Sequence, residues 1–279
     1  MLTVINIELY KIFRKWRTYI GFMAIGALVP IIQIAMMFEG ERSLDFMTRN
    51  LQQSFIFVGN LLNGYLVSYI ILNMLVIHIP FLVTLVAGDL LAGEATAGTY
   101  RLLITRPISR LKLVTAKFIA GVIYTNLLVL FLAVISLGLG YFIFGFGELI
   151  VIKSTSVIIF AREDVFWRFI LGYGFASLSM LVVTSLAFLF SSLVENAIGP
   201  IMTTMAIIIV FVIISAINIE FFQTLRPYMF TTYMNSWRLF FDDPVDYSEI
   251  LKSMGILAGH VCALFGITVY LFSRKDILT

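Results

Sequence analysis

The residues whose types point to chemistry are concentrated between positions 88 and 117. Glu94 is one of few acids in a segment that otherwise carries Arg and Lys. A carboxylate in that setting can pair with a basic side chain of a partner protein, and a partly buried interfacial pair is coupled more strongly than a surface pair. A second interpretation is that Glu94 is solvated or pairs with Arg101 or Arg106, as exposed charges commonly do.

Turn-forming residues divide the same segment. Three glycines interrupt an apolar sequence and predict tight turns, namely Gly88, Gly93 and Gly98. Pro107 predicts that a helix over residues 100–105 ends before it. Ser109 is suited to cap the helix that carries Lys112 and Lys117. We therefore expect two short helices joined by hinges, which is more structure than a linker needs and which predicts a docking surface.

The sequence lacks the residue patterns that other kinds of chemistry require. The sequence contains no GxxxxGK[ST], HExxH or GxSxG pattern, and its only imidazoles are His78 and His260. Carboxylates fall in loops or at span ends, whereas ion relays generally place them near the bilayer midplane. We therefore predict no catalytic or metal-binding residues and an external source of energy. A membrane-embedded enzyme is the least supported of the alternatives.

The elements that position these residues cross a membrane. The chain has 279 residues, of which 61% are hydrophobic and only 13% charged, well outside the range of soluble domains. That composition excludes a nucleic-acid binder, and the lone Cys262 excludes a disulfide framework. We predict an all-α polytopic protein whose six stretches are long enough to span the bilayer: 19–38, 62–87, 118–144, 169–190, 197–219 and 250–272.

Basic residues predict the orientation of these spans. With the N-terminus inside, the inner segments hold 11 of the 19 Lys and Arg residues, and four of them precede the first span. Both termini are therefore predicted to be cytoplasmic, with residues 88–117 on the same side and residues 220–249 outside. The aromatic residues of 220–249 predict short helices at the outer interface or an ordinary aromatic belt.

Residues 1–17 have two faces. Ile5, Leu9, Ile12, Phe13 and Trp16 recur at helical spacing, and the opposite face carries the basic residues Lys11, Arg14, Lys15 and Arg17. This pattern predicts a helix in the headgroup layer. A plain basic flank before a span is the alternative.

Polar residues gather on one arc of the predicted second span. Asn60, Asn63, Asn73 and His78 fall within about 140° of each other at 100° per residue. Amides facing hydrocarbon are costly, so this arc is expected to face protein or water. It could line a transport route or a dimer seam, or it could form hydrogen bonds between helices of one subunit.

The whole chain resembles the permease subunits of ABC-2-type transporters. The resemblance rests on the loop pattern Gly93-Glu94, Gly98-Thr99, Leu102-Leu103, Arg106-Pro107-Ile108-Ser109-Arg110 and Lys117. The basic amphipathic N-terminus, the six spans and the tight turn at 191–196 are also similar.

The resemblance implies a permease, cargo export and a prokaryotic cell membrane. Two copies of the permease, as a homodimer or a related heterodimer, would pair with two separate ATP-binding subunits. Those subunits would hold ATP and Mg, while this chain would bind no cofactor. Residues 1–17, with Lys11, Arg14, Lys15 and Trp16, would be the connecting helix. The coupling interface would comprise Gly93, Glu94, Gly98, Thr99, Arg101, Arg106, Pro107, Ser109 and Arg110. A non-transporting membrane scaffold is the main alternative function.

Overall fold

Helices built from long apolar runs dominate the computed structural model, which describes residues 1–52, 61–98, 109–153 and 156–274. In chain order the elements are α1 (Leu2–Arg14), α2 (Trp16–Gln52), α3 (Gly64–Leu75), α4 (Ile79–Ala87), α5 (Asp89–Thr96), α6 (Arg110–Phe144), β1 (Leu149–Ile152), β2 (Val157–Phe160), α7 (Arg162–Leu193), α8 (Ile198–Ala216), α9 (Glu220–Leu225), α10 (Phe230–Tyr233) and α11 (Tyr247–Arg274). Two 3₁₀ helices, Arg226–Tyr228 and Met234–Phe241, flank α10.

Six helical stretches of the described chain are long and apolar enough to cross a membrane. They are Trp16–Phe46, Ile79–Thr96, Arg110–Phe144, Arg162–Leu193, Ile198–Ala216 and Tyr247–Arg274. Even the shortest, at 18 residues, is about 27 Å long, close to the thickness of the hydrocarbon core. The prediction of an α-helical, multi-pass membrane protein is therefore confirmed.

The second span differs from the continuous helix predicted over 62–87. A turn at residues 76–78 separates α3 from α4. Pro80 lies in the first turn of α4 and has no N–H to donate to the carbonyl of Val76, so the helical ladder stops there. The apolar pattern could reveal the length of this span but not the interruption.

Two of the three glycines of the predicted loop do not form the turns that were expected of them. Gly88 has helical dihedral angles and Gly93 lies inside α5, so α4 and α5 form one nearly continuous helical stretch. Gly98 has a φ of 65° and does turn the chain after α5. Of the three predicted turns, only the one at Gly98 is present.

Helix α7 lies at the centre of the bundle. It packs against α4, α5, α6, α8 and α11, and 67% of its most apolar 18-residue stretch is buried inside the protein. The corresponding fraction is 22% for α2 and α8 and 17% for α11. The outer helices therefore present most of their surface to lipid or to partner proteins.

A β-hairpin joins α6 to α7, an element that the sequence analysis did not predict. β1 and β2 are antiparallel, with Leu149 opposite Phe160. The signal was present in two short runs of β-branched residues on either side of residues 153–156. The helical class holds for the rest of the described chain.

Arg168 attaches this hairpin and the 3₁₀ helix Met234–Phe241 to α7. Its guanidinium donates hydrogen bonds to the carbonyl oxygens of Phe240 and Asp242 at 2.7 and 2.9 Å. The same group lies 4.2 Å from the ring centre of Phe160, in β2. Trp237 is fully buried, so part of the 220–249 segment forms a small core rather than an aromatic belt.

The two ends of the described chain lie at one face of the bundle. Helix α1 packs against α6 near its start, and Arg110 at the start of α6 donates a hydrogen bond to the carbonyl of Ser273 at 3.1 Å. We call this the N-terminal face, and we call the end that carries β1 and β2 the hairpin face.

Close packing of α3 on α6 generates a test of the fold. A Cβ at Gly64 would lie 2.6 Å from the backbone carbon and oxygen of Gly140. We expect Gly64→Ala to lower the free energy of unfolding by about 1–3 kcal/mol, because backbone cannot yield as a side chain can. Gly138→Ala is the matched control, since its Cβ would meet nothing within 4 Å. Thermal unfolding in detergent measures both, and equal midpoints would contradict the packing.

Candidate functional site

A group of charged side chains at the N-terminal face joins α1, α2, α5 and α6. We call it the charge cluster, and its members are Glu8, Lys11, Lys15, Arg17, Asp89, Glu94 and Lys117. The basic members come from residues 11–17 and from α6, and two of the three acids come from α5. The cluster therefore connects parts of the chain that are far apart in sequence.

Lys117 lies at the buried centre of the charge cluster. Its ammonium is 2.6 Å from Glu8 Oε2 and 3.0 Å from Glu94 Oε1. Only 2% of the Lys117 side chain and 4% of the Glu8 side chain are exposed. Burying an ion away from water is costly unless a counter-ion accompanies it, so Lys117 requires both α1 and α5 to be in place.

Lys11 completes a four-residue ring around this centre. Its ammonium is 3.0 Å from Glu8 Oε1 and 2.8 Å from Glu94 Oε1. Burial lowers the pKa of Lys11, but its hydrogen bonds to Glu94 and Glu8 outweigh that effect and the pKa lies above the ordinary 10.5. The stability that Lys11 contributes is thus fully present below pH 10.5 and is lost as the pH rises past the raised value.

Asp89 connects α5 to the junction between α1 and α2. Its carboxylate is 2.6 Å from the Lys15 ammonium and 3.1 Å from the Arg17 guanidinium. Gly93 makes room for this carboxylate, because a Cβ there would lie 2.5 Å from Asp89 Oδ1. Gly93 is therefore needed for close approach within α5 and not for a turn.

The junction between α1 and α2 is fixed by side chains that bind its backbone. Helix α1 ends before Lys15, which is extended. The hydroxyl of Thr18 donates to the carbonyl of Ile12, and Tyr124 of α6 donates to the carbonyl of Thr18 at 3.3 Å. These bonds set the angle at which the basic side chains enter the charge cluster.

Ser191 of α7 holds the start of α5 in place. Its hydroxyl accepts hydrogen bonds from the backbone N–H groups of Leu91 and Ala92 at 3.0 and 2.9 Å, and donates to the carbonyl of Gly88 at 2.7 Å. At the other end of α5, Thr96 donates to the carbonyl of Glu195 at 2.7 Å. The early N–H groups of a helix otherwise lack partners, so α7 acts as the cap of α5.

An open cleft of about 640 Å³ lies beside the charge cluster. We call it the cleft, and its lining includes Lys15, Trp16, Arg17, Thr96, Asn196 and Ile198. Trp16 is 71% exposed and Ile198 is 61% exposed. Large exposed apolar side chains in a cleft that also holds Lys15, Arg17 and Asp89 are typical of a surface that a partner covers.

The predicted coupling residues take several positions. Glu94 pairs with Lys11 and Lys117 of its own chain, so its observed ion pairs are internal ones that neither sequence interpretation named. Ser109 caps α6 by accepting from Lys112 N at 3.3 Å, and Arg110 reaches Ser273. The remaining predicted residues, Thr99, Arg101, Arg106 and Pro107, lie outside the described residues, as does the predicted helix over 100–105.

The predicted connecting helix is shorter than residues 1–17. Its buried residues are Ile5, Glu8 and Ile12, whereas Trp16 begins α2 and is exposed. Arg14 is also exposed at the end of α1. Leu9 and Phe13 are half-buried, so the predicted apolar face is retained except at Trp16, and a carboxylate lies within it.

The predicted polar arc of the second span is not a continuous face. Asn63 precedes α3 and caps it, accepting from Tyr65 N at 3.0 Å and donating to the carbonyl of Glu148 at 2.7 Å. Asn73 donates to the carbonyl of Tyr69 at 3.3 Å, and exposed His78 lies in the turn before α4. Because the helix breaks before Pro80, Asn73 and His78 do not share one continuous helix. Asn60 lies outside the described residues.

Glu8, like Asp89, is a residue of the charge cluster that the sequence analysis missed. It lies between Ile5 and Ile12 at helical spacing, and all three side chains are buried. A carboxylate on the apolar stripe of an amphipathic helix was the available signal. That signal could have indicated a buried counter-ion, but not which basic residue it meets.

Replacing the central cation tests the charge cluster. We expect Lys117→Met to lower the free energy of unfolding by about 3 kcal/mol, because Glu8 and Glu94 would then share one ammonium in a buried setting. Lys112→Met is the matched control on the same helix, where the side chain is exposed and a change within about 0.5 kcal/mol is expected. Denaturant titration in detergent compares the two variants. Equal losses of unfolding free energy would show that the ion pairs of Lys117 add no particular stability.

Comparisons with known proteins identify a family but assign no activity. Residues 26–278 match the family described as "Protein of unknown function (DUF2705)". The chain is also similar to the uncharacterized protein YhcI of Bacillus subtilis (strain 168), with 29% identity over 119 residues. That alignment spans 40% of this chain and only 37% of the relative. Since the family match covers most of the chain, the protein belongs to the DUF2705 family.

Proposed function

We propose that the chain is the permease subunit of an ATP-driven ABC-2-type exporter, working as a dimer with two separate ATP-binding subunits in a prokaryotic cell membrane. The observation that carries the proposal is the charge cluster, in which a short helix at one face is held by buried ion pairs to α1 and to a long spanning helix. The N-terminal face is cytoplasmic in this proposal.

The charge cluster supplies the connection that such a subunit needs. A force on α5 reaches α6 through Lys117, and it reaches α1 through Lys11 and Asp89. Buried ion pairs with matched hydrogen bonds lose several kcal/mol when they separate, so these helices move together rather than independently. Displacement of α5 would accordingly tilt α6 and open a path between the spans.

The cleft is the proposed docking site for the ATP-binding subunit. Its apolar residues, Trp16 and Ile198, would form the centre of the contact, and Lys15 and Arg17 would form a basic edge. A short helix or loop with apolar and acidic side chains suits this combination. ATP and Mg would bind to the partner, which supplies the energy that no residue pattern in this chain supplies.

Loss of an exposed anchor tests this docking. We expect Trp16→Ala to lower the affinity for the ATP-binding subunit at least tenfold, because large aromatic anchors dominate many interfaces. Tyr10→Ala is the control, since Tyr10 is 66% exposed on α1 but does not line the cleft. Gentle purification from native membranes, mass spectrometry of co-eluting proteins and an ATPase assay give the measurement.

The same experiment separates the alternatives. A stoichiometric ATP-binding partner that is lost with Trp16→Ala and retained with Tyr10→Ala supports the proposal. The chain alone in detergent and again in lipid discs, without ATPase activity, would favour a non-transporting scaffold. Retention of the partner by both variants would place the docking site away from the cleft.

A further inference from the structure

One backbone carbonyl joins three helices inside the bundle. The carbonyl oxygen of Ser136 on α6 accepts hydrogen bonds from Gln33 of α2 at 2.9 Å and from Ser68 of α3 at 3.0 Å. We call these three residues the Ser136 junction. It lies about 12 Å along α6 from the end of that helix at the hairpin face. All three side chains are fully buried, so bulk water does not reach them.

Three polar atoms at the Ser136 junction have no hydrogen-bond partner among the described residues. They are Gln33 Oε1, Ser136 Oγ and the hydroxyl oxygen of Tyr173 on α7. Tyr173 is 5% exposed, and its hydroxyl lies beside that of Ser136 without forming a bond of normal geometry. The amide of Gln33 cannot be turned round to change this, because its nitrogen has to face the Ser136 carbonyl in order to donate.

The hydroxyl of Ser136 also differs from other buried hydroxyls of the spanning helices. Those of Thr125, Thr184 and Thr204 each donate to the carbonyl four residues earlier, at 3.0, 3.0 and 2.7 Å. Ser136 makes no such bond. Unsatisfied hydroxyl and amide groups are costly inside a membrane, and internal water commonly satisfies buried polar groups of this kind.

A single water molecule has the donors and acceptors that these three atoms require. Gln33 Oε1 can only accept, so the water donates to it. A hydroxyl both donates and accepts, so the second proton of the water goes to Ser136 or Tyr173, and its oxygen accepts from the other. Three bonds of this kind are typical of a buried water. The junction residues and Tyr173 are all uncharged, which favours a neutral ligand over an ion.

We infer that an ordered water molecule is bound at the Ser136 junction, where it bridges Gln33, Ser136 and Tyr173. This water attaches the central helix α7 to a junction that otherwise joins α2, α3 and α6. The inference goes beyond the proposed function, because it requires neither an ATP-binding partner nor a second copy of the chain.

Removing the phenol oxygen tests whether the site holds water. Tyr173→Phe loses a hydrogen bond if the hydroxyl binds water, whereas removal of an unsatisfied hydroxyl from a site without water is neutral or stabilising. We therefore expect Tyr173→Phe to lower the thermal midpoint in detergent by about 2–4 °C. An unchanged or higher midpoint would overturn the inference.

A double-substitution cycle distinguishes a bridging water from a direct bond between Tyr173 and Ser136. A water that contacts both Gln33 and Tyr173 makes their substitutions non-additive, because the first substitution already weakens the site. Gln33→Met combined with Tyr173→Phe is expected to melt at least about 2 °C above the midpoint that the two single shifts would give together. Additive shifts would show that Tyr173 acts without Gln33, and the bridging water would be wrong.

Tyr124→Phe is the matched control for this cycle. Tyr124 is also buried, lies on the same helix as Ser136 and donates to the carbonyl of Thr18. It is about 18 Å along α6 from Ser136, so its shift should add to that of Gln33→Met.

Density for the water gives a measurement that does not depend on any variant folding. Cryo-electron microscopy of the unmodified chain in lipid discs is expected to show a water within hydrogen-bond distance of Gln33 Oε1 and of at least one of the two hydroxyls. A map that resolves other internal waters and shows none at the Ser136 junction would overturn the inference.

Discussion

A buried ammonium group determines how the N-terminal face is organised. Lys117 belongs to a spanning helix, yet its charge is removed from water by α1 on one side and α5 on the other. Two carboxylates from different elements are needed to stabilise it in that position. The angle at Lys15 and the hydroxyl of Ser191 help to bring those carboxylates into place, and Gly93 makes room for the neighbouring carboxylate of Asp89.

The membrane imposes a related rule on the rest of the bundle. Many polar side chains inside the apolar helices donate to backbone carbonyls: Gln33 and Ser68 both donate to the carbonyl of Ser136, at 2.9 and 3.0 Å. The break before α4 is tolerated because the neighbouring turn retains bonds of its own, such as that from His78 N to the carbonyl of Leu75 at 2.8 Å. Asn126 follows the same rule by donating to the carbonyl of Val122 at 2.7 Å, although its amide lies at the surface of the subunit.

The sequence allowed some of these features to be predicted, for physical reasons that can be named. Span length follows from apolar runs, and the cap at Ser109 follows from local residue type, so both were accessible. The break before Pro80 was missed because an apolar run looks the same whether its helix is continuous or not. The partners of Glu94 were missed because its ion pairs, across 83 residues to Lys11 and 23 residues to Lys117, depend on tertiary packing. Gly93 was interpreted as a turn, although its small size accommodates Asp89.

The separation of the cluster along the chain has a consequence for biosynthesis. Glu8 and Lys117 are 109 positions apart, so at ordinary rates of translation Glu8 has only Lys11 of its own helix as a counter-ion for about 5–20 s before Lys117 is made. During that time its carboxylate keeps α1 in the aqueous headgroup layer and prevents the helix from sinking among the acyl chains. The burial of α1 is thus a late step, which completes the N-terminal face only after the third spanning helix has entered the membrane.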